Sequence, residues 1–191
     1  RWKKMLPYLK KSGSTIIAID GPAQGLSSGK EFTVPKYAEF IDIAAKKHQP
    51  HYIIGHSMGG QTSLYYQYKY QNPSVQKMVI LGAPSDFTII LKNFTSLLSL
   101  NNRVRKALEI KYSNYLDQHL DQFTSKEFVS KIDTKGFLAH DIEDTVVLFG
   151  EGEKIAESWK NVQFIQTKGL GHKLHDDDLY RKIYEFLFET E

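Results

Sequence analysis

Short, nearly continuous apolar runs alternate along this chain with longer helical patterns, and this alternation constrains the fold more than any other feature. Parallel strands covered on both faces are apolar along their whole length, and helices between them supply the crossover connections. The pattern predicts an α/β protein with a mostly parallel sheet and flanking helices. The predicted strands are residues 15–20, 52–55, 77–81, 136–140 and 162–167.

One segment interrupts the alternation. Residues 85–135 contain two successive amphipathic patterns with no strand between them. An all-helical insertion between two strands predicts a cap over one edge of the sheet, with extra helices on its flank as the alternative. Residues 1–84 and 136–191 would then form one core domain, and 85–135 the cap insertion.

Composition excludes several classes of partner and site. The 25 Lys and Arg against 22 Asp and Glu give a formal charge of only +3, which makes nucleic acid or an anionic membrane a poor candidate for the main partner. No apolar run approaches the ~20 residues of a membrane span. The chain has no cysteine, so it has no disulfides, thiolate nucleophiles or zinc–sulfur sites. No signal-peptide pattern opens the chain, which favours a cytoplasmic location, although a signal could have been removed.

The strongest local motif is Gly55-His56-Ser57-Met58-Gly59, which matches G-x-S-x-G. An apolar strand pattern precedes it and a helical pattern follows, a context in which a sharp turn strains the serine backbone and projects its hydroxyl above the sheet. Glycine is expected at positions 55 and 59 because side chains there would collide with the neighbouring elements. The backbone N–H of Met58 could donate to an oxyanion at the helix N-terminus. The alternative is a glycine-rich turn with a structural serine.

A serine needs a base to remove its proton, and the base needs an acid to orient it. His172, in Gly169-Leu170-Gly171-His172 after the last predicted strand, is the best candidate base, with His175 as its fallback. His56 is expected to be a packing residue, and His140 could line the site.

Two alignments compete for the acid. If residues 136–140 form the strand, the loop beyond it carries Asp144; if residues 145–149 do, Glu151 is the acid. The first alignment is favoured because it leaves room for a turn and a helix. Asp141 would then be a hydrogen-bonding neighbour of the acid.

With these residues in place, the chain resembles the α/β-hydrolase fold superfamily, and especially its small bacterial serine hydrolases. The resemblance rests on four ordered motifs, which are residues 20–29, the GHSMGG stretch at 55–60, residues 140–147 and residues 169–172. It implies Ser57 as nucleophile, Asp144 as acid and His172 as base. Gln24 stands where the family usually has histidine, outside the triad.

The resemblance also implies further strands before Trp2, one of them followed by a His-Gly loop that supplies a second oxyanion donor. The given sequence holds nothing that corresponds to this strand and loop. We expect either that the N-terminal strands are missing, or that the sheet has closed up; in both cases Met58 would be the only oxyanion donor in this chain.

The expected function is hydrolysis of carboxylic esters or thioesters through an acyl-enzyme on Ser57, with a small-molecule acyl substrate and no metal or organic cofactor. The alternatives are an aminopeptidase or amidase on the same triad, or a non-catalytic binding protein of the same fold. Apolar residues of the cap would line the acyl pocket or pack against the sheet. They are Phe87, Phe94, Leu97 and Leu98.

Overall fold

The computed structural model describes residues 2–116 and 120–189, apart from the side chain of Leu97. Its four strands lie in one parallel sheet in the order β1-β2-β3-β4. Helices flank this sheet, so the predicted fold class is confirmed. The strands are β1 (Tyr52–His56), β2 (Lys77–Leu81), β3 (Lys135–Asp141) and β4 (Val162–Thr167).

Eight α-helices occur in the described residues. Their bounds are α1 (Leu6–Leu9), α2 (Val34–His48), α3 (Met58–Tyr70), α4 (Phe87–Leu97), α5 (Asn102–Leu116), α6 (Ser125–Val129), α7 (Phe149–Ser158) and α8 (Asp177–Phe188). None of them is long and apolar enough to span a membrane.

The predicted strand at residues 15–20 is wrong: this segment forms no strand in the structure. Its β-branched residues fit a strand, but a strand also needs a neighbour to complete its hydrogen-bond ladder. Among the described residues the sheet ends at β1, and no ladder joins β1 to this segment. Ile16 and Ile17 are consequently 37% and 46% exposed.

The core lies on both faces of the sheet. Alternate residues of the central strands point to opposite sides, so Met78 and Ile80 contact the cluster around α2, α3 and α7, whereas Val79 and Leu81 contact the cluster around α1 and α8. This two-sided burial explains why β2 and the middle of β3 are apolar, whereas the edge strand β4 has exposed glutamines at positions 163 and 166.

The helical segment leaves and rejoins the core at one place. Asp86 and Thr124 form an antiparallel bridge, and the backbone N–H of Ser125 donates to the carbonyl oxygen of Ser85 at 2.9 Å. The hydroxyl of Ser125 donates to the carbonyl oxygen of Pro84 at 2.8 Å. Residues 85–135 hold α4, α5 and α6, and their assignment as a cap over the sheet stays a prediction.

Candidate active site

Ser57 occupies the turn between β1 and α3 with a strained backbone. Its φ of 56° and ψ of −128° lie outside the regions that non-glycine residues favour. The turn is tight, because a Cβ added at Gly55 would lie 2.7 Å from the carbonyl oxygen of Gly59 and from the Cα of Gly60. The backbone N–H of Ser57 donates to the carbonyl oxygen of Leu81 at 2.9 Å, which fixes the turn against β2.

One expectation about these glycines is wrong. A Cβ at Gly59 would meet nothing within 4 Å, whereas a Cβ at Gly60 would lie 2.8 Å from the Cβ of Ala83. The close approach of α3 to the chain after β2 therefore requires a small residue one position later than the motif suggested.

Ser57, His172 and Asp144 form a continuous hydrogen-bonded chain. His172 Nε2 lies 3.1 Å from Ser57 Oγ, and His172 Nδ1 lies 2.7 Å from Asp144 Oδ2. Because a carboxylate only accepts, Nδ1 carries the proton and donates to Asp144. Nε2 is then free to accept the hydroxyl proton of Ser57. The His172 side chain is 19% exposed and that of Asp144 is fully buried.

The loop after β3 keeps the Asp144 carboxylate ionised. Burial by itself would raise its pKa, but the hydrogen bonds from His172 and from the N–H groups of Val147 and Val146 outweigh burial and hold the pKa of Asp144 below its ordinary value. The two N–H groups lie 2.9 Å and 2.8 Å from Oδ1. An ionised acid at this position stabilises a positively charged imidazole.

The competing acid lies elsewhere. Glu151, inside α7, accepts hydrogen bonds from the backbone N–H groups of Ser85 and Asp86 at 3.0 Å and 2.8 Å, and it pairs with Lys154 at 2.6 Å. The predicted strand at residues 145–149 is absent, since residues 145–147 form a bend and α7 begins at Phe149.

The side chains of Asp141 and His175, two other residues singled out in the sequence, form hydrogen bonds with other partners. Asp141 accepts hydrogen bonds from the hydroxyl of Thr167 at 2.7 Å and from the N–H of Leu170 at 3.0 Å, and so links the end of β3 to the loop that carries His172. His175 is hydrogen-bonded through Nδ1 to the Tyr180 hydroxyl at 2.6 Å.

Sequence reasoning assigned His56 to packing, but its side chain contacts the base. His56 Nε2 donates to the carbonyl oxygen of His172 at 2.7 Å, and the two rings lie 4.7 Å apart. The only signal in the sequence was its place next to Ser57, because the partner is 116 residues away.

His140 lies behind the acid and is fully buried. Its Nε2 donates to the carbonyl oxygen of Val147 at 2.9 Å and is 3.5 Å from Asp144 Oδ2. Burial lowers the pKa of His140, so the neutral ring is favoured. Gly152 allows α7 to pass this ring, since a Cβ there would lie 2.6 Å from His140 Nδ1.

The predicted pocket residues differ in exposure. Phe87 is buried and contacts Tyr112, with ring centroids 5.0 Å apart, whereas Phe94 and Leu98 are each 51% exposed. The side chain of Leu97 lies outside the described part of the structure. Met58 begins α3, so its backbone N–H has no acceptor within the helix. The roles of these residues stay predictions.

Several solved structures are similar to this chain. Est1E from Butyrivibrio proteoclasticus, solved with ferulic acid, has a TM-score of 0.79 at 17% identity, over 98% of this chain and 81% of that one. A monoacylglycerol lipase from Paleococcus ferrophilus has a TM-score of 0.72 at 18% identity, over 98% and 88%. A meta-cleavage product hydrolase from Pseudomonas fluorescens has a TM-score of 0.69 at 17% identity, over 97% and 83%. Identities this low establish the fold alone.

No curated protein sequence matches the chain. A family model does: the one described as the alpha/beta hydrolase fold matches residues 1–109, more than half of the length. The strained serine turn, the parallel sheet and this match agree, and the chain belongs to the α/β-hydrolase family.

Proposed function

We propose that this protein is a serine hydrolase of carboxylic esters or thioesters that forms an acyl-enzyme on Ser57. The observation that carries the proposal is the hydrogen-bonded chain from Asp144 through His172 to Ser57, with distances of 2.7 Å and 3.1 Å. Acyl transfer of this kind uses a nucleophile, a base and an orienting acid, and the three side chains that we propose for these roles lie within hydrogen-bond reach of one another.

In the acylation step, His172 Nε2 takes the hydroxyl proton as Ser57 Oγ attacks the acyl carbon. The carbonyl π electrons move to the oxygen, and the backbone N–H of Met58 donates to the resulting oxyanion. Asp144, ionised and bonded to Nδ1, stabilises the imidazolium. The tetrahedral intermediate then collapses, and the departing alcohol or thiol takes the proton from Nε2.

Deacylation repeats these steps with water as the nucleophile. His172 removes a proton from water, the hydroxide attacks the acyl carbon, and the bond to Ser57 Oγ breaks. The proton returns from Nε2 to Ser57, which restores the free enzyme and releases the carboxylic acid. No other chemical group is needed for the atoms and charges to balance.

The names of two proteins with similar structures support an ester substrate. A monoacylglycerol is a carboxylic ester, and a lipase that bears this name shares the fold over 98% of the chain. An esterase domain from Rhodothermus marinus shares it over 97%.

Labelling with a fluorophosphonate tests the proposal directly, since such a probe phosphonylates a serine that a base activates. We expect one adduct, on Ser57, and no labelling of Ser57→Ala or His172→Ala. Ser63→Ala is the control, because Ser63 lies in α3, the helix that follows Ser57, and its hydroxyl donates to the carbonyl oxygen of Gly59 at 2.7 Å. Turnover of p-nitrophenyl esters is then compared with that of aminoacyl p-nitroanilides. A folded protein whose Ser57 stays unlabelled, or one that cleaves only the anilides, contradicts the proposal.

A further inference from the structure

The turn between α4 and α5 exposes four large apolar side chains within eleven positions. Phe94 and Leu98 are each 51% exposed, Val104 is 39% exposed and Leu100 is 37% exposed. Leu98 directly follows α4 and its N–H donates to the carbonyl oxygen of Phe94 at 3.2 Å, so the two residues, four positions apart, share a face. We call residues 92–106 the α4–α5 tip. Clustered apolar exposure of this kind marks a contact surface.

Every charged residue of the tip is basic. The sequence from Phe87 to Leu108 contains Lys92, Arg103, Arg105 and Lys106 and no acidic residue. Arg105 pairs with Glu109 at 3.5 Å. Within the described residues, no ion pair involves any of the other three. The formal charge of +3 averages over the whole chain and conceals this cluster, which alone carries four positive charges.

We propose that the α4–α5 tip docks on the surface of an anionic lipid bilayer. The apolar side chains would enter the boundary between headgroups and acyl chains, while the basic side chains contact lipid phosphates. Exposed aromatic and aliphatic residues beside lysine and arginine provide the two terms that hold a protein at such a surface.

The charge of the tip argues against a second copy as the occupant. A symmetric dimer through this surface would place the same patch against itself, and the basic clusters would then face each other. An anionic bilayer is complementary to both the apolar and the basic residues. Docking on a bilayer does not require a large interface of fixed shape, so a small surface at a turn between helices is sufficient for it.

Vesicle sedimentation with the whole chain tests this proposal. We expect binding to vesicles of phosphatidylcholine with phosphatidylglycerol, and much weaker binding to phosphatidylcholine alone. Raising the salt concentration from about 0.1 M to about 1 M shortens the electrostatic screening length from about 10 Å to about 3 Å, and this should release most of the bound protein.

Two double variants separate the contributions. Removing two cations in Arg103→Gln/Lys106→Gln should lower the partition coefficient about 30-fold, at roughly fivefold for each charge. Phe94→Ser/Leu98→Ser should lower it about tenfold or more. Each variant has a control elsewhere on the surface. Lys126→Gln/Lys160→Gln removes two exposed charges outside the tip. Ile43→Ser removes an apolar side chain that is 68% exposed. The controls should bind as the unaltered protein does.

Three results would overturn the proposal. The first is a failure of the protein to sediment with anionic vesicles. The second is binding to neutral vesicles as strong as binding to anionic ones. The third is a loss of binding in the controls as large as the loss in the tip variants. Analytical ultracentrifugation without lipid adds a fourth: self-association that Phe94→Ser/Leu98→Ser abolishes would assign the surface to a second copy instead. Circular dichroism melts of all variants verify that the fold is retained.

Discussion

The imidazole Nε2 of His56 lies 2.7 Å from the main-chain carbonyl oxygen of His172. The residue that precedes the expected nucleophile in sequence therefore holds the backbone of the expected base, and one side chain couples the positions of both. A small displacement of a catalytic group can cost about 10²-fold in rate, so under the proposed function we expect this bond to affect turnover.

His56→Leu should lower kcat about tenfold to 10²-fold with little change in KM, because the variant removes the donor that positions His172. His56→Gln keeps an N–H donor and should recover much of the loss. Steady-state kinetics on a p-nitrophenyl ester provides the measurement. Full activity of His56→Leu would show that the loop holds His172 without this bond.

Asp144→Asn should lower kcat about 10⁴-fold, since an amide that donates to Nδ1 would leave the imidazole in the wrong tautomer. Ser57→Ala and His172→Ala should be at least as damaging, and combining them should add little, because the three groups act as one unit.

Glu151→Gln is the matched test of the competing acid. Its carboxylate binds the N–H groups of Ser85 and Asp86 and pairs with Lys154, so the loss should appear in stability, by about 1.5–3 kcal/mol, with turnover largely kept. If Glu151→Gln abolished turnover and Asp144→Asn were silent, our assignment of the acid would be reversed.

The pKa directions predict a loss of stability in acid. The pKa of Asp141 is lowered: burial alone would raise it, but the hydrogen bonds from Thr167 and from the N–H groups of Leu170 and Glu143 outweigh burial. The pKa of Asp144 is lowered as well. The unfolded chain therefore binds more protons, and the stabilisation is fully present above about pH 5 and is lost as the pH falls through the folded-state values.

Urea unfolding of the unaltered protein and of Asp141→Asn between about pH 6 and pH 3 measures this effect. The free energy of unfolding should fall less steeply with acid in Asp141→Asn. Asp133→Asn, which changes an exposed carboxylate before β3, should keep the original slope. Parallel curves for all three proteins would refute the prediction.

Gly55 and Gly59 offer a matched pair at the serine turn. Gly55→Ala should destabilise the protein by about 1–3 kcal/mol, because its Cβ would press on the backbone of Gly59 and Gly60. Gly59→Ala should leave the free energy of unfolding within about 1 kcal/mol, because its Cβ meets nothing and alanine favours the helix. Equal destabilisation by both would contradict the contacts described here.

Much of the sheet could be predicted from the sequence, because a strand buried on both faces, such as β2, is apolar at almost every position. Residues 77–81 and 162–167 were predicted with the bounds that the structure gives to β2 and β4. Residues 15–20 are also rich in apolar and β-branched residues, but they have no ladder partner in the described residues, and pairing is not a property of one segment.

The candidate site could be predicted where a local motif carried it. Ser57, His172 and Asp144 each follow a strand, so the parallel sheet brings them to one edge, and the structure places them within hydrogen-bond reach of one another. The hydrogen-bond partners of His56 and Glu151 lie 65 residues or more away along the chain, and no spacing rule predicts such pairs.

The bridge between Asp86 and Thr124 makes the helical segment modular. Because its two ends meet, the intervening residues can lengthen, shorten or be exchanged without altering how β2 connects to β3. The entropic cost of closing such a loop grows only slowly with its length, by about 0.6 kcal/mol for each doubling. These residues can thus diversify while Ser57, His172 and Asp144 keep their positions, and a chimaera that receives the helices of a relative at these two points should retain the same sheet.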